Sequence, residues 1–170
     1  MQAIADNELK LMPELQENER MIVSTRVFAA PRRMVYEAFA DPKQVVEWWG
    51  PHGFTTTIEE MDLRAGGKWR MVMHGPDGTN YPNEMMFTAV VPMERVELDL
   101  VGGREGAVPV HLHKTITWTD EDGGTRLTMT NEFPSRELRD ENVRTYGSVK
   151  GGRDLFERLA AVLATKGERA

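Results

Sequence analysis

The residue with the clearest chemical potential is a lysine in an otherwise apolar strand pattern. Lys114 lies between Leu112 and Ile116, on the face that the alternation assigns to the protein interior. A lysine there can pair with the carboxylate or phenolate of a bound molecule, or its stem can pack while its head reaches water. Asn131 occupies the apolar phase of a later strand. Burial without a partner would be costly for either side chain, so both are candidate ligand-binding residues.

The other candidates are aromatic residues and methionines on or near the same predicted faces. Methionine fills irregular, adaptable apolar space, and the chain contains 11 methionines. Two tyrosines could donate hydroxyl hydrogen bonds to a ligand. The apolar members fit a plain hydrophobic core as well as a cavity wall. The predicted ligand-binding set is Trp49, Trp69, Met71, Met73, Tyr81, Met85, Phe87, Lys114, Met129, Asn131, Tyr146 and Phe156.

Other chemistries find little support in the sequence. His111 and His113 have a spacing that can bind a metal, but they lie opposite the apolar phase and no third ligand is evident. His74 precedes a turn, where a structural hydrogen bond is the simpler interpretation. The motifs G-x-S-x-G, G-x-x-x-x-G-K-[ST] and G-x-G-x-x-G are all absent. We therefore predict no catalytic residue, no metal site and no cofactor.

The composition excludes several classes of protein. The 170 residues include no cysteine, which removes disulfides, thiol nucleophiles, iron–sulfur clusters and cysteine zinc sites. The net charge of −6 differs from the basic charge typical of a nucleic-acid binder. Charges run through the first 20 residues without an apolar signal-peptide core, and no stretch is long enough to span a membrane. The sequence predicts a cytoplasmic protein without membrane insertion.

The elements that must position these candidates follow from periodicity and punctuation. Residues 21–28 form a β-branched first strand, and two short helices follow, with Pro31 and Asp41-Pro42 at their starts. From residue 54 to residue 133, about six strands alternate with turns. A helical region then begins at Ser135, is interrupted by Gly147, Gly151 and Gly152, and ends before Gly167. The predicted fold class is α+β.

The expected architecture is a curved antiparallel sheet of about six or seven strands wrapped on a long C-terminal helix. Residues 1–19 form a partly helical or disordered extension, residues 20–166 form one ligand-binding domain, and residues 167–170 form a tail. Gly151 and Gly152 carry no side chains where the helix should cover the sheet. Space between the sheet and the helix would be a small-molecule site.

The order and spacing of several short blocks carry a family resemblance. Asp41-Pro42, Trp48-Trp49-Gly50-Pro51 and Tyr146-Gly147 are among them. Over residues 20–165 the chain resembles the SRPBCC (START-like, birch-pollen-allergen-like) superfamily, and within it the bacterial branch related to the activator of heat shock protein 90 ATPase. The resemblance implies the helix-grip fold that the pattern analysis reached independently. Relatives often carry Glu and a bulky aromatic where this chain has Lys150-Gly151-Gly152, which suggests a roomier, less negative pocket.

The resemblance leaves three functions open, because fold alone does not determine function. The superfamily includes lipid carriers, polyketide cyclases, plant hormone receptors and chaperone cofactors. The leading prediction is a carrier or sensor for a small hydrophobic or aromatic molecule, such as a lipid, a polyketide-like compound or an aromatic acid. An enzyme of cyclase or hydrolase type, using Lys114, His74 or Tyr81, is one alternative. A stress-response modulator of a chaperone ATPase is the other, and a homodimer stays open.

Overall fold

The computed structural model of the protein describes residues 4–169 and is built on one antiparallel sheet. Its seven strands follow the order β1-β7-β6-β5-β4-β3-β2, so β1 and β2 form the two edges. The predicted α+β fold and the strand number are confirmed. The strands are β1 (Met21–Phe28), β2 (Thr55–Met61), β3 (Lys68–His74), β4 (Asn80–Val91), β5 (Arg95–Gly102), β6 (Val110–Glu121) and β7 (Gly124–Glu132).

Two short helices separate the first strand from the rest of the sheet, as predicted. Helix α2 (Arg32–Ala40) buries an apolar face, and helix α3 (Pro42–Val45) follows directly. Asp41 caps α3 because its side chain accepts a hydrogen bond from the Lys43 backbone N–H at 2.9 Å. The cap at Asp41 separates the two helices, and the turn after α3 places Trp48 and Trp49 against the sheet.

The helical region after β7 consists of two helices. Helix α4 (Arg136–Tyr146) begins at a serine cap, where Ser135 Oγ accepts from the Leu138 N–H at 3.2 Å. It ends at Gly147, whose left-handed conformation (φ 60°) suits glycine. Helix α5 (Ser148–Arg169) then runs without a break to the end of the described chain.

The predicted interruption at Gly151 and Gly152, and the predicted end before Gly167, were wrong. All three glycines lie inside α5. Each glycine costs a helix roughly 1 kcal/mol relative to alanine, but α5 buries Leu155, Phe156, Leu159 and Leu163 in the main core. Tertiary packing of this apolar stripe outweighs the local preference of the glycines.

The core consists of two clusters. The larger one lies between the sheet, α2 and α5 and contains most of the buried aromatic residues. The smaller one joins the N-terminal segment to β1, α4 and the start of α5. Helix α1 (Asp6–Leu9) and a 3-10 turn at Pro13–Leu15 contribute Leu9 and Leu15 to it. Among the residues described, no helix is both long and apolar enough to cross a membrane.

Candidate functional site

A cavity of about 520 Å³ lies between the inner face of the sheet and the first turns of α5. Strands β1 and β3 to β7 form one wall, and the α4–α5 junction forms the opposite wall. The loop that follows Trp49 borders it as well, through Gly50, Pro51, His52 and Phe54. Cavities of about 300–1,000 Å³ are the size of ordinary small-molecule sites. The fold therefore leaves room for one compact ligand.

Lys114 lines this cavity from the centre of the sheet. Its Cα is paired with Leu98 on β5 and with Asn131 on β7, and its side chain is only 8% exposed. Within the described chain its ammonium group has no hydrogen bond or salt bridge, and it lies over the Trp49 ring, 5.4 Å from Nζ to the centroid. Burial lowers the pKa of Lys114 to about 8, because desolvation penalises the charged form.

Two further polar groups at the cavity lack partners. Asn131 Oδ1 is buried and accepts no hydrogen bond, although Asn131 stands directly across from Lys114. Ser148 Oγ, at the first residue of α5, is also buried without a partner. Buried polar atoms in proteins are nearly always paired, so such atoms call for an explanation. Both residues line the cavity, so a rotation of either side chain would present its polar group to a ligand.

Aromatic rings form much of the remaining wall. Trp49 packs edge-on to Trp69, with centroids 4.9 Å apart, and turns toward the cavity. Tyr81 and Tyr146 meet at 6.4 Å on the far side, and the Tyr146 hydroxyl accepts a hydrogen bond from the Arg104 N–H at 3.2 Å. Phe156 of α5 closes the wall near β1. The lining is thus largely apolar, with polar atoms at a few positions.

The structure brings nine of the twelve predicted ligand-binding residues together around the cavity. They are Trp49, Met73, Tyr81, Met85, Lys114, Met129, Asn131, Tyr146 and Phe156. They come from α5, from four strands, and from the chain next to α3 and at the end of α4. Their role in binding stays a prediction, but their common location is a fact of the fold.

Trp69, Met71 and Phe87 are not at the cavity. All three are fully or almost fully buried in the main core. The Trp69 ring meets Phe39 of α2 edge-on at 5.4 Å and stacks on Phe87 at 6.0 Å. They share the inner face with the lining residues, but helix α2 fills the space above them. Their assignment to a binding site stays a prediction, and their position shows that a residue on the inner face of the sheet need not line the cavity.

Sequence reasoning missed the loop of residues 50–54 and Asn83. Gly50 adopts φ 110°, and Arg158 of α5 holds its carbonyl with a hydrogen bond of 2.9 Å. Asn83 is buried, and its amide donates to the Tyr81 carbonyl at 3.1 Å. In the sequence, Gly50-Pro51 indicated the end of the second short helix, but nothing in the pattern indicated that this loop would border the cavity.

One group of side chains at the edge of the cavity, of which His52 and Asp154 line it, resembles a metal site. The ligand atoms of His52, Asp154 and Glu157 lie within 4.8 Å of one another. However, Lys150 Nζ already donates to Asp154 Oδ2 at 2.9 Å, and the His52 N–H donates to the same oxygen at 3.3 Å. Burial raises the pKa of Asp154, but these bonds outweigh it, so the pKa is lowered overall. The arrangement is a salt-bridge network in which the Lys150 ammonium group takes the position that a metal ion would take beside Asp154.

The histidines considered for other chemistry lie away from the cavity. Both ring nitrogens of His113 contact carboxylates, Asp99 at 2.8 Å and Glu97 at 3.1 Å. Burial alone would lower the pKa of His113, but these hydrogen bonds raise it overall. His74 contacts Thr57 and Asn80, each at 2.9 Å. Neither His74 nor His113 lines the cavity, so His74 does not join Lys114 and Tyr81 in an acid–base group.

Comparison with solved structures gives close overall agreement. Protein Ms6760 from Mycobacterium smegmatis is 30% identical, with 87% of this chain and 93% of that chain covered at a TM-score of 0.78. A protein from Arthrobacter aurescens is 28% identical, with 86% and 87% covered at 0.78. A protein from Chromobacterium violaceum is 26% identical, with 85% and 97% covered at 0.71.

Among curated proteins, none matches this chain. The family model described as "Activator of Hsp90 ATPase homolog 1-like protein" matches residues 29–164. That range contains both helices after β1, six strands of the sheet and the cavity-lining part of α5. With the agreement in structure, this places the chain in the superfamily that the sequence resembled, whose fold is known for ligand binding. The chain belongs to the Activator of Hsp90 ATPase homolog 1-like protein family.

Proposed function

We propose that the protein binds one small, mostly apolar or aromatic molecule in the cavity between the sheet and α5, as a carrier or sensor. The observation that carries this proposal is a cavity of about 520 Å³ whose lining includes Trp49, Met85, Met129 and Phe156. Apolar walls with a few convergent polar groups are typical of ligand sites. Methionine at three lining positions suits a pocket that adapts to its occupant.

The test uses a neutral fluorescent probe and a matched pair of variants. N-phenyl-1-naphthylamine is apolar and uncharged, and its fluorescence rises when it leaves water. Leu100 lines the cavity, whereas its neighbour Val101 is 40% exposed and was not found there. Successive residues of a strand point to opposite faces of a sheet. Leu100→Trp therefore fills the cavity, and Val101→Trp adds the same ring to the other face.

The wild type should bind one probe molecule per chain, and Leu100→Trp should weaken this binding by about tenfold or more, given the roughly 1–3 kcal/mol cost of overpacking. Val101→Trp should bind like the wild type. Circular dichroism confirms that both variants fold. Equal probe affinity in Leu100→Trp and Val101→Trp, or no binding by the wild type, would contradict the proposal. Native mass spectrometry of freshly isolated protein then searches for a co-purified molecule.

A further inference from the structure

The cavity contains a positive charge that the described chain does not balance. Lys114 is 8% exposed and has no carboxylate within salt-bridge distance among the residues described. The acid found at the cavity is Asp154, and its carboxylate already accepts from Lys150 and from the His52 N–H. A buried ammonium without a counter-charge is costly to hold in the folded state. Its position suggests that the counter-charge arrives with the ligand.

The groups around Lys114 are mostly uncharged. Its neighbours across the sheet are Leu98 on β5 and Asn131 on β7, and neither carries charge. Trp49 faces it from beyond α3 and supplies only the weak attraction of an aromatic face for a cation. The titratable groups at the cavity are Tyr81 of β4, Tyr146 of α4, Lys150 and Asp154 of α5, and His52 of the loop. Among these, Asp154 and Lys150 neutralise each other.

Asn131 supplies a second contact to the same ligand group. Its Oδ1 is buried without a partner, and the amide of asparagine presents either oxygen or NH₂ after a half-turn. Asn131 and Lys114 therefore offer an amide NH₂ and an ammonium as hydrogen-bond donors from adjacent strands. A carboxylate has two oxygens and accepts hydrogen bonds only, so it matches two neighbouring donors. The apolar lining leaves the rest of the ligand uncharged.

We propose that the natural occupant is a monocarboxylic acid with an apolar or aromatic body, whose carboxylate pairs with Lys114 and Asn131. This inference rests on the proposed function and names its ligand class. A carboxylic acid, with a pKa of about 4 to 5 like those of Asp and Glu, leaves the proton on the lysine, so the bound pair is ionic. Binding then stabilises the ammonium form and raises the pKa of Lys114 above its value of about 8 in the free protein.

The experiment compares each carboxylic acid with its uncharged amide. Naphthylacetic acid and naphthylacetamide, and likewise decanoic acid and decanamide, displace the bound neutral probe in a fluorescence titration. At about pH 7 each acid should compete about tenfold or more better than its amide, since hydrogen bonds between charged groups are stronger than those to a neutral amide. Above about pH 8 the acids should weaken as Lys114 loses its proton, while the amides should not change.

Three variants locate the carboxylate. Lys114→Met should remove the preference for acids over their amides, and Lys114→Arg, which keeps a charged donor, should restore most of that preference. Asn131→Leu should reduce the preference in part. If the probe binds but acids compete no better than amides, or if Lys114→Met keeps the preference, this inference is overturned and the proposed function survives. If the wild type binds neither the probe nor the acids, both fail together.

Discussion

Lys114 shows how one residue connects stability with binding. Its pKa is lowered to about 8 by burial, whereas an unfolded chain returns the amine to about 10.4. The unfolded state therefore holds the proton more tightly, and the free energy of unfolding rises with pH between these two values. Below about pH 8 the protein carries the full cost of the buried charge.

Lys114→Met should accordingly stabilise the ligand-free protein at neutral pH. The expected gain in free energy of unfolding is up to about 3 kcal/mol, at roughly 1.4 kcal/mol per unit of pKa shift. The gain should shrink from about pH 8 upward and vanish near pH 10.4. Urea denaturation at several pH values measures it. Lys68→Met, at an exposed lysine of β3, is the control; an equal gain there would contradict the assignment to burial.

At the scale of elements, α5 determines how much of the sheet is covered. From Leu155 to Leu163 it buries three leucines and Phe156 in the main core, while Gly151 and Gly152 near its start line the cavity. A Cβ at Gly151 would meet Pro51 Cγ at 3.5 Å, an ordinary contact. A Cβ at Gly152 would lie 2.8 Å from Ser24 Oγ of β1, which requires a shift. The two glycines therefore differ in what they tolerate.

Gly151→Ala should stabilise the protein by about 0.5–1 kcal/mol, the ordinary helix preference for alanine over glycine. Gly152→Ala should gain less or lose stability, because Ser24 Oγ must move. Removing that oxygen with Ser24→Ala should return the full gain to Gly152→Ala. Thermal unfolding of the three variants and of the double variant tests this coupling. Additive effects of Ser24→Ala and Gly152→Ala would show that the predicted contact does not matter.

At the scale of the whole molecule, the N-terminal segment is packed onto the domain. The sequence predicted a partly helical or disordered extension over residues 1–19; in the described part, α1 and the 3-10 turn contribute Leu9 and Leu15 to the smaller core cluster. Arg139 of α4 is buried, and its Nη1 donates to the carbonyls of Leu15 at 3.1 Å, Asn18 at 3.0 Å and Met21 at 3.3 Å. The domain boundary at residue 20 stays a prediction.

Arg139→Met should destabilise the protein by about 2–4 kcal/mol, because it removes three hydrogen bonds from a charged donor, one of them to the carbonyl of the buried Leu15. Arg136→Met removes an exposed arginine of the same helix, whose contact with Glu19 is 3.8 Å long; exposed ion pairs contribute little. Chemical denaturation compares the two variants, and hydrogen exchange over residues 9–20 shows whether this segment loosens. If Arg139→Met were as stable as Arg136→Met, the three hydrogen bonds would contribute nothing to holding the segment.

Periodicity predicted the fold because each strand presents alternate residues to one face. Periodicity alone assigned Lys114 and Asn131 to the inner face of the sheet, and the structure places both there. It failed for Gly151, Gly152 and Gly167, since local preference for ending a helix was outweighed by burial of the neighbouring apolar stripe. Cap residues such as Asp41 and Ser135 were predictable because their interactions are local.

The sequence by itself therefore determined which side chains face inward, where most elements begin and end, and which family the chain resembles. Only the tertiary structure decided which inward residues meet empty space. Met71 and Met73 alternate identically on β3, yet Met71 is in the core and Met73 lines the cavity. The physical reason is that the two-residue period of a strand specifies which face of the sheet a side chain is on, but not its depth, meaning whether a helix covers that side chain. Depth depends on where α2 and α5 cross the curved sheet, and those crossings join residues far apart in the chain.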